Sequence, residues 1–105
     1  MNSRDLNILA LPEPIKLSFQ KRIDEIGAGL HRRFEDLLPD KVDQFDLAYI
    51  QDLLCRWEGS AINFEKGIDM NFGRWQDEME YYYREIIQAL TEAEETLRSK
   101  GGESK

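Results

Sequence analysis

The stretch WEGSAINFEKGIDMNFGRW, residues 57–75, holds both tryptophans of the chain and three glycines but no proline. Segments with helical periodicity lie on either side of it. Read as the turn of a two-helix hairpin it gives one fold; read as a corner between two of three helices it gives another. The residues favour the corner. Trp57 closes an apolar helical stripe, and Gly59 stands where a helix C-cap glycine belongs. Ser60 is placed to cap a short turn, AINFEK, that ends at Gly67, and Asp69 to cap a following helix. Ile62, Phe64 and Ile68 then fold the segment back onto a core.

Downstream, Phe72, Trp75, Met79, Tyr82, Ile86, Ala89, Ala93 and Leu97 recur in steps of three and four, with Tyr83, Ile87 and Leu90 widening the stripe. A helix over 71–99 is predicted, about 43 Å long at 1.5 Å per residue. Its near-heptad seam suits a long antiparallel neighbour or a coiled-coil-like dimer. Upstream, Leu47, Ile50, Leu54 and Trp57 make a second stripe, widened by Leu53, with Asp43 as N-cap and Asp46 in the capping-box position. Ile15, Phe19, Ile23, Ile26, Leu30, Phe34 and Leu37 define a first helix, which LPDK ends at Pro39. Gly27 and Gly29 each weaken that helix by about 1 kcal/mol relative to alanine, marking a kink or the close approach of another helix.

Residues 1–13 carry Leu6, Ile8, Leu9 and Leu11 ahead of PEP, a pattern for a short extended arm that packs across the helices or onto a partner. The expected fold is all-α. It is a small bundle of three principal helices with a long C-terminal helix, the arm at 1–13, one helical domain at 14–99 and a disordered tail at 100–105.

At 105 residues the chain is one domain, and its surface-to-volume ratio leaves stability marginal unless a partner helps. With 41% apolar and 33% charged residues it is too apolar for a disordered chain. A formal net charge of −7 argues against direct nucleic-acid binding, which needs a basic surface. No segment approaches the ~20 apolar residues of a membrane span. MNSRDLNILALPEP lacks the basic region and long apolar stretch of a signal peptide, so a cytoplasmic location is expected. The single cysteine, Cys55, lies in an apolar helical run and reads as a buried, inert thiol.

Catalytic parts are sparse. The one histidine, His31, lacks the companions of a zinc site and reads as a surface or edge-of-core side chain. GAG at 27–29 lies inside a helical pattern rather than between strand and helix, so it is no phosphate loop. Glu92 and Glu95, with Asp77, Glu78 and Glu80, find no convincing inward acidic pair among Asp24, Glu25, Glu35 and Asp36 on the other helices. They read as a solvated face. No catalytic, metal, cofactor or small-molecule site is predicted. EYYYRE, residues 80–85, differs. Three consecutive tyrosines span about 200° of helix arc and cannot all enter one core. Tyr82 and Tyr83 fit the inner stripe, and Tyr81 points away beside Glu85. Exposed aromatics favour interfaces, so the expected partner-binding residues are Leu6, Ile8, Leu9, Tyr81 and Tyr83.

Trp57, Glu58 and Gly59 spell W-x-G near the middle of the chain. In this the chain resembles the WXG family of small helical-hairpin proteins exported by ESX-type secretion systems. The resemblance implies a hairpin turn at Trp57–Gly59 and a Y-x-x-x-E motif after the second helix, matched in spacing by Tyr81 and Glu85. Against that stand the break at LPDK and the position of the tyrosine motif inside the last helix. The expected function is non-catalytic protein–protein interaction, as a small subunit, adaptor, antitoxin, inhibitor or chaperone, with a protein partner or a second copy of the chain. The alternatives are a WXG-like secreted protein and an acidic inhibitor of a nucleic-acid-binding protein.

Overall fold

The computed structural model describes residues 3–37 and 39–103, with side chains through residue 99. Three helices dominate: α1 (Glu13–Glu35), α2 (Gln44–Lys66) and α3 (Phe72–Glu103). The fold is all-α, a three-helix bundle, as the periodicities predict. The molecule is a rod of 58 × 21 × 21 Å with a radius of gyration of 16.7 Å, against about 13 Å for a compact chain of this length. The 32 residues of α3 rise about 48 Å, and the 23 of α1 and of α2 about 34 Å each.

The corner between α2 and α3 is shorter than the sequence suggests. Gly59 does not end α2; the helix continues to Lys66 and stops at Gly67, whose φ of 72° is left-handed and whose N–H donates to the Asn63 and Phe64 carbonyls. Trp57, Ser60 and Phe64 are all buried, so the stripe that begins at Ile50 runs through the glycine unbroken. Burying a Phe side chain is worth about 1.5–3 kcal/mol, which outweighs the ~1 kcal/mol helix penalty of one glycine. Trp57–Gly59 is therefore mid-helix and forms no turn. A methyl group at Gly59 would meet nothing within 4 Å. Gly59→Ala is expected to raise stability by about 1 kcal/mol, or roughly 4–8 °C in Tm for a domain of this size. Loss of stability on thermal unfolding would instead mean that this glycine serves a turn.

The cap of α3 also differs. Asn71, not Asp69, accepts from the Arg74 backbone N–H through its side-chain oxygen (2.9 Å). Asp69 instead accepts from Asn7 Nδ2 at 2.6 Å. Asp43 does cap α2, accepting from the Phe45 N–H at 2.7 Å.

The arm is not extended. It forms two 3-10 turns, Ser3–Asp5 and Ile8–Ala10, and docks on the α2–α3 corner. The Ile8 N–H donates to the Met70 carbonyl and the Phe72 N–H to the Leu6 carbonyl, each at 2.7 Å. The first N–H groups of a helix lack intrahelical acceptors, so the arm supplies one for Phe72. Ile8 is 0% exposed. A Cβ on Gly73 would sit 2.8 Å from the Arg4 carbonyl oxygen, so only glycine lets the arm lie this close.

The core has an aromatic end and an aliphatic end. Trp75 stacks on both Phe64 and Phe72, whose own rings are tilted to each other, and Phe19 meets Phe72 edge-on at 4.9 Å. Trp75 Nε1–H donates to the Ser60 carbonyl at 2.9 Å. Ile50, Ile86 and Leu90 fill the other half, and Leu37 and Val42 seal the α1–α2 connection. Cys55, expected inside, is exposed; Leu53 and Leu54 take the inward positions and the next residue turns outward. The expected disordered tail begins as helix, since α3 reaches Glu103; residues 104–105 lie outside the described residues. Among the described residues no helix is long and apolar enough to cross a membrane.

Arg33 joins α1 to α3 through a two-pronged pair with Glu94, its Nε and Nη2 donating at 3.0 and 2.7 Å. The hydrogen bond from Arg33 holds the Glu94 carboxyl below its ordinary pKa, helped by the Arg33 and Arg98 charges and opposed by burial. A carboxyl with a depressed folded-state pKa stabilises above its unfolded pKa, about 4.3. That stability is lost as pH falls through the folded value. Both side chains are about a third exposed, so screening limits the pair to at most ~1 kcal/mol. Glu94→Gln should therefore lower the urea midpoint at pH 7 and leave it nearly unchanged at pH 3, and 1 M salt should shrink the difference at pH 7.

A candidate protein-binding groove

The start of α1 meets the start of α3 at Phe19 and Phe72, and its end meets α3 at Arg33 and Glu94. The two helices therefore run parallel, with α2 antiparallel to both. Between α1 and α3 an open groove of about 300 Å³ remains. Phe19, Ile23 and Ile26 line it from α1, and Trp75, Met79 and Tyr83 from α3; Trp57 of α2 forms its floor. The spacing explains the lining. Residues 75, 79 and 83 advance by fours along one edge of α3, and 19, 23 and 26 by a four and a three along α1.

The rim is charged. Arg4 reaches across to Asp77 (2.9 Å) and Gln76 (3.1 Å). Arg22 lies over the Phe19 ring, 5.6 Å from its centroid, and Glu80 accepts from Arg84 at 2.5 Å. Within the groove Ile26 and Tyr83 each remain 38% exposed. A second hollow of about 370 Å³ lies on the other side of α1, against α2. Trp57 and Ile23 line it too, and Asp24, Glu58 and Glu65 give it an acidic lip. His31 Nε2 pairs there with Glu58 Oε1, joining α1 to α2.

The predicted partner-binding residues do not come together. Tyr83 lines the groove. Tyr81, 58% exposed, faces a shallow hollow formed with Asp77, Glu80 and Arg84, its ring edge-on to Tyr82 at 5.6 Å. Leu6 is partly buried against the core. Leu9 is exposed beside Gly67. Ile8 offers no surface at all: it belongs to the chain's own core, because the arm folds down as a lining of the corner.

Sequence reasoning treated Phe19, Ile26, Met79 and Trp57 as core and so missed that they border an opening. It also passed over Phe45, 86% exposed, and Tyr49, half exposed, on the outer face of α2. Both sit off the Leu47–Ile50–Leu54 stripe, at i and i+4 to each other, and that offset was the available signal. Among the described residues no three His, Cys, Asp or Glu side chains stand close enough to hold a metal ion. Comparison with protein-family models, curated proteins and solved structures gives no match.

Proposed function

We propose that this chain is a non-catalytic protein-interaction module that receives an apolar helix or segment of a partner protein in the α1–α3 groove. The observation that carries this reading is that Ile26 of α1 and Tyr83 of α3 both line one opening with an apolar interior and are left partly exposed. Aromatic side chains over a desolvated floor are common anchors of protein interfaces. The reading keeps the long C-terminal helix as a binding element, through Tyr83, and gives up the arm. The partner is another protein or a second copy of the chain, in a cytoplasmic setting.

The test compares partner recovery on the tagged protein from its native cells with that on three variants. Ile26→Asp and Tyr83→Ala should each reduce recovery at least tenfold with unchanged helicity by circular dichroism, and Tyr81→Ala should reduce it little. Binding that survives both groove variants and falls with Tyr81→Ala would move the interface to the outer face of α3. A second reading, an acidic inhibitor of a basic nucleic-acid-binding protein, draws support from the net charge of −7 and the acidic lip of the hollow beside α2. It requires binding that weakens steeply with salt. A hairpin of the WXG type receives no support, because Trp57–Gly59 lies within α2.

A further inference from the structure

Phe45 is the most exposed large apolar side chain among the described residues, at 86%. It stands in the first turn of α2, next to the α1–α2 connection, with the half-exposed Tyr49 one turn further on. The bundle does not need a phenylalanine there, because Leu47 and Ile50 take the inward positions. Acidic side chains flank the ring. Asp43 caps the helix through the Phe45 N–H, and Asp46 follows, exposed to solvent.

The groove between α1 and α3 offers the complement. Its interior is apolar, and Arg4 and Arg22 stand on its rim. Glu80, the acidic residue of that rim, is occupied by Arg84, and Arg4 is occupied by Asp77. Among the described residues no carboxylate pairs with Arg22, whose guanidinium lies over the Phe19 ring. In a chain of net charge −7, such an arginine beside an apolar opening selects for an aromatic segment with an acidic flank. A cavity of about 150 Å³ admits one benzene, so the groove, at about 300 Å³, has room for a phenyl ring. The molecule's own Phe45 does not fill it, since that residue precedes Trp57 on α2 by about 18 Å of helical rise.

We propose that the groove of one copy receives Phe45 of a second copy, with the acidic flank of that residue against Arg22, so that the chain associates head to tail. The inference rests on the groove being the binding site. Phe45 and the groove are different surfaces, so the contact is heterologous. Contacts of that kind extend into open chains or close into rings.

Analytical ultracentrifugation of the purified full chain tests it. The wild type should grow beyond a dimer as its concentration rises towards about 1 mM. Phe45→Asp and Ile26→Asp should each weaken association by about tenfold or more at unchanged helicity. Tyr83→Ala, on α3, is a second groove variant and should act alike. An equimolar mixture of Phe45→Asp and Ile26→Asp proteins should form a complex of one molecule of each and stop there, because the first keeps an intact groove and the second an intact Phe45. Arg22→Glu should weaken self-association by about tenfold. A wild type that stays monomeric, or a mixture that fails to associate, would overturn the proposal and leave the groove to a different protein, as partner recovery would then show. Self-association that falls with Phe45→Asp but survives both groove variants would overturn the proposal, and partner recovery that also survives them would overturn the groove reading beneath it.

Discussion

An Ile8→Ala protein is expected to lose about 2–5 kcal/mol of stability, the usual cost of truncating a fully buried isoleucine and leaving a cavity. Ile8 is 0% exposed, and it is held in place from both sides of its own backbone. Its N–H donates to Met70, and the neighbouring Leu6 carbonyl accepts from Phe72. Those two bonds survive the substitution, so the side chain cannot be replaced by a shift of the arm without breaking them. The loss is large beside the 5–15 kcal/mol of a typical domain, and urea unfolding followed by circular dichroism reads it directly. Leu9→Ala is the internal control. Leu9 is 56% exposed, and its truncation should cost well under half as much. If Ile8→Ala proves neutral, the arm is undocked in solution and left to pack onto a partner, the second of the two placements expected from the sequence.

Trp57→Ala should cost about 3–5 kcal/mol, because the indole is buried, floors both hollows and carries the middle of α1. The structure also predicts how this change couples to Gly27. In the native background Gly27→Ala gains about 1 kcal/mol of helix preference but pushes a methyl group to 3.1 Å from Cζ3 and 3.4 Å from Cη2 of Trp57. With the indole removed the obstacle is gone and only the gain remains. A double-mutant cycle on the four proteins should therefore show Gly27→Ala to be more favourable in the Trp57→Ala background, with a coupling of about 0.5–3 kcal/mol. Equal effects in the two backgrounds would mean that the glycine is there for some reason other than this contact. Trp57→Ala should also speed exchange of the α1 amides, because Gly27 packs against the indole and its loss removes part of what holds that helix down.

Most of the secondary structure was legible because periodicity reports which face of a helix is buried, and three stripes with period near 3.6 cannot be satisfied by strands. The N-cap at Asp43 was legible for the same local reason: a carboxylate oxygen satisfies a backbone N–H two residues on. The boundaries were harder. Gly59 and Gly67 carry the same chemical signal, and only the second ends the helix, because burial of Ser60 and Phe64 decides which glycine is crossed. Asp69 and Asn71 are both good caps; Asn7 takes up the first, and the second is left to α3. The site was harder still. Tyr83 and Ile26 lie on different helices, and nothing in the order of residues says that α1 and α3 stand far enough apart to leave both half exposed.

The amino-acid sequence by itself determined the all-α class, the three apolar stripes, the long last helix and the net charge of −7, since these follow from composition and from spacing within single helices. Tertiary structure alone decided where α2 ends, that the arm joins the core, that Cys55 faces outward and that an apolar groove flanks α1. The physical reason is one of scale. Local preferences for caps and glycines are worth about 1 kcal/mol each. Burial of a whole side chain against a distant segment is worth about 1.5–3 kcal/mol, and it overrules them wherever the two disagree.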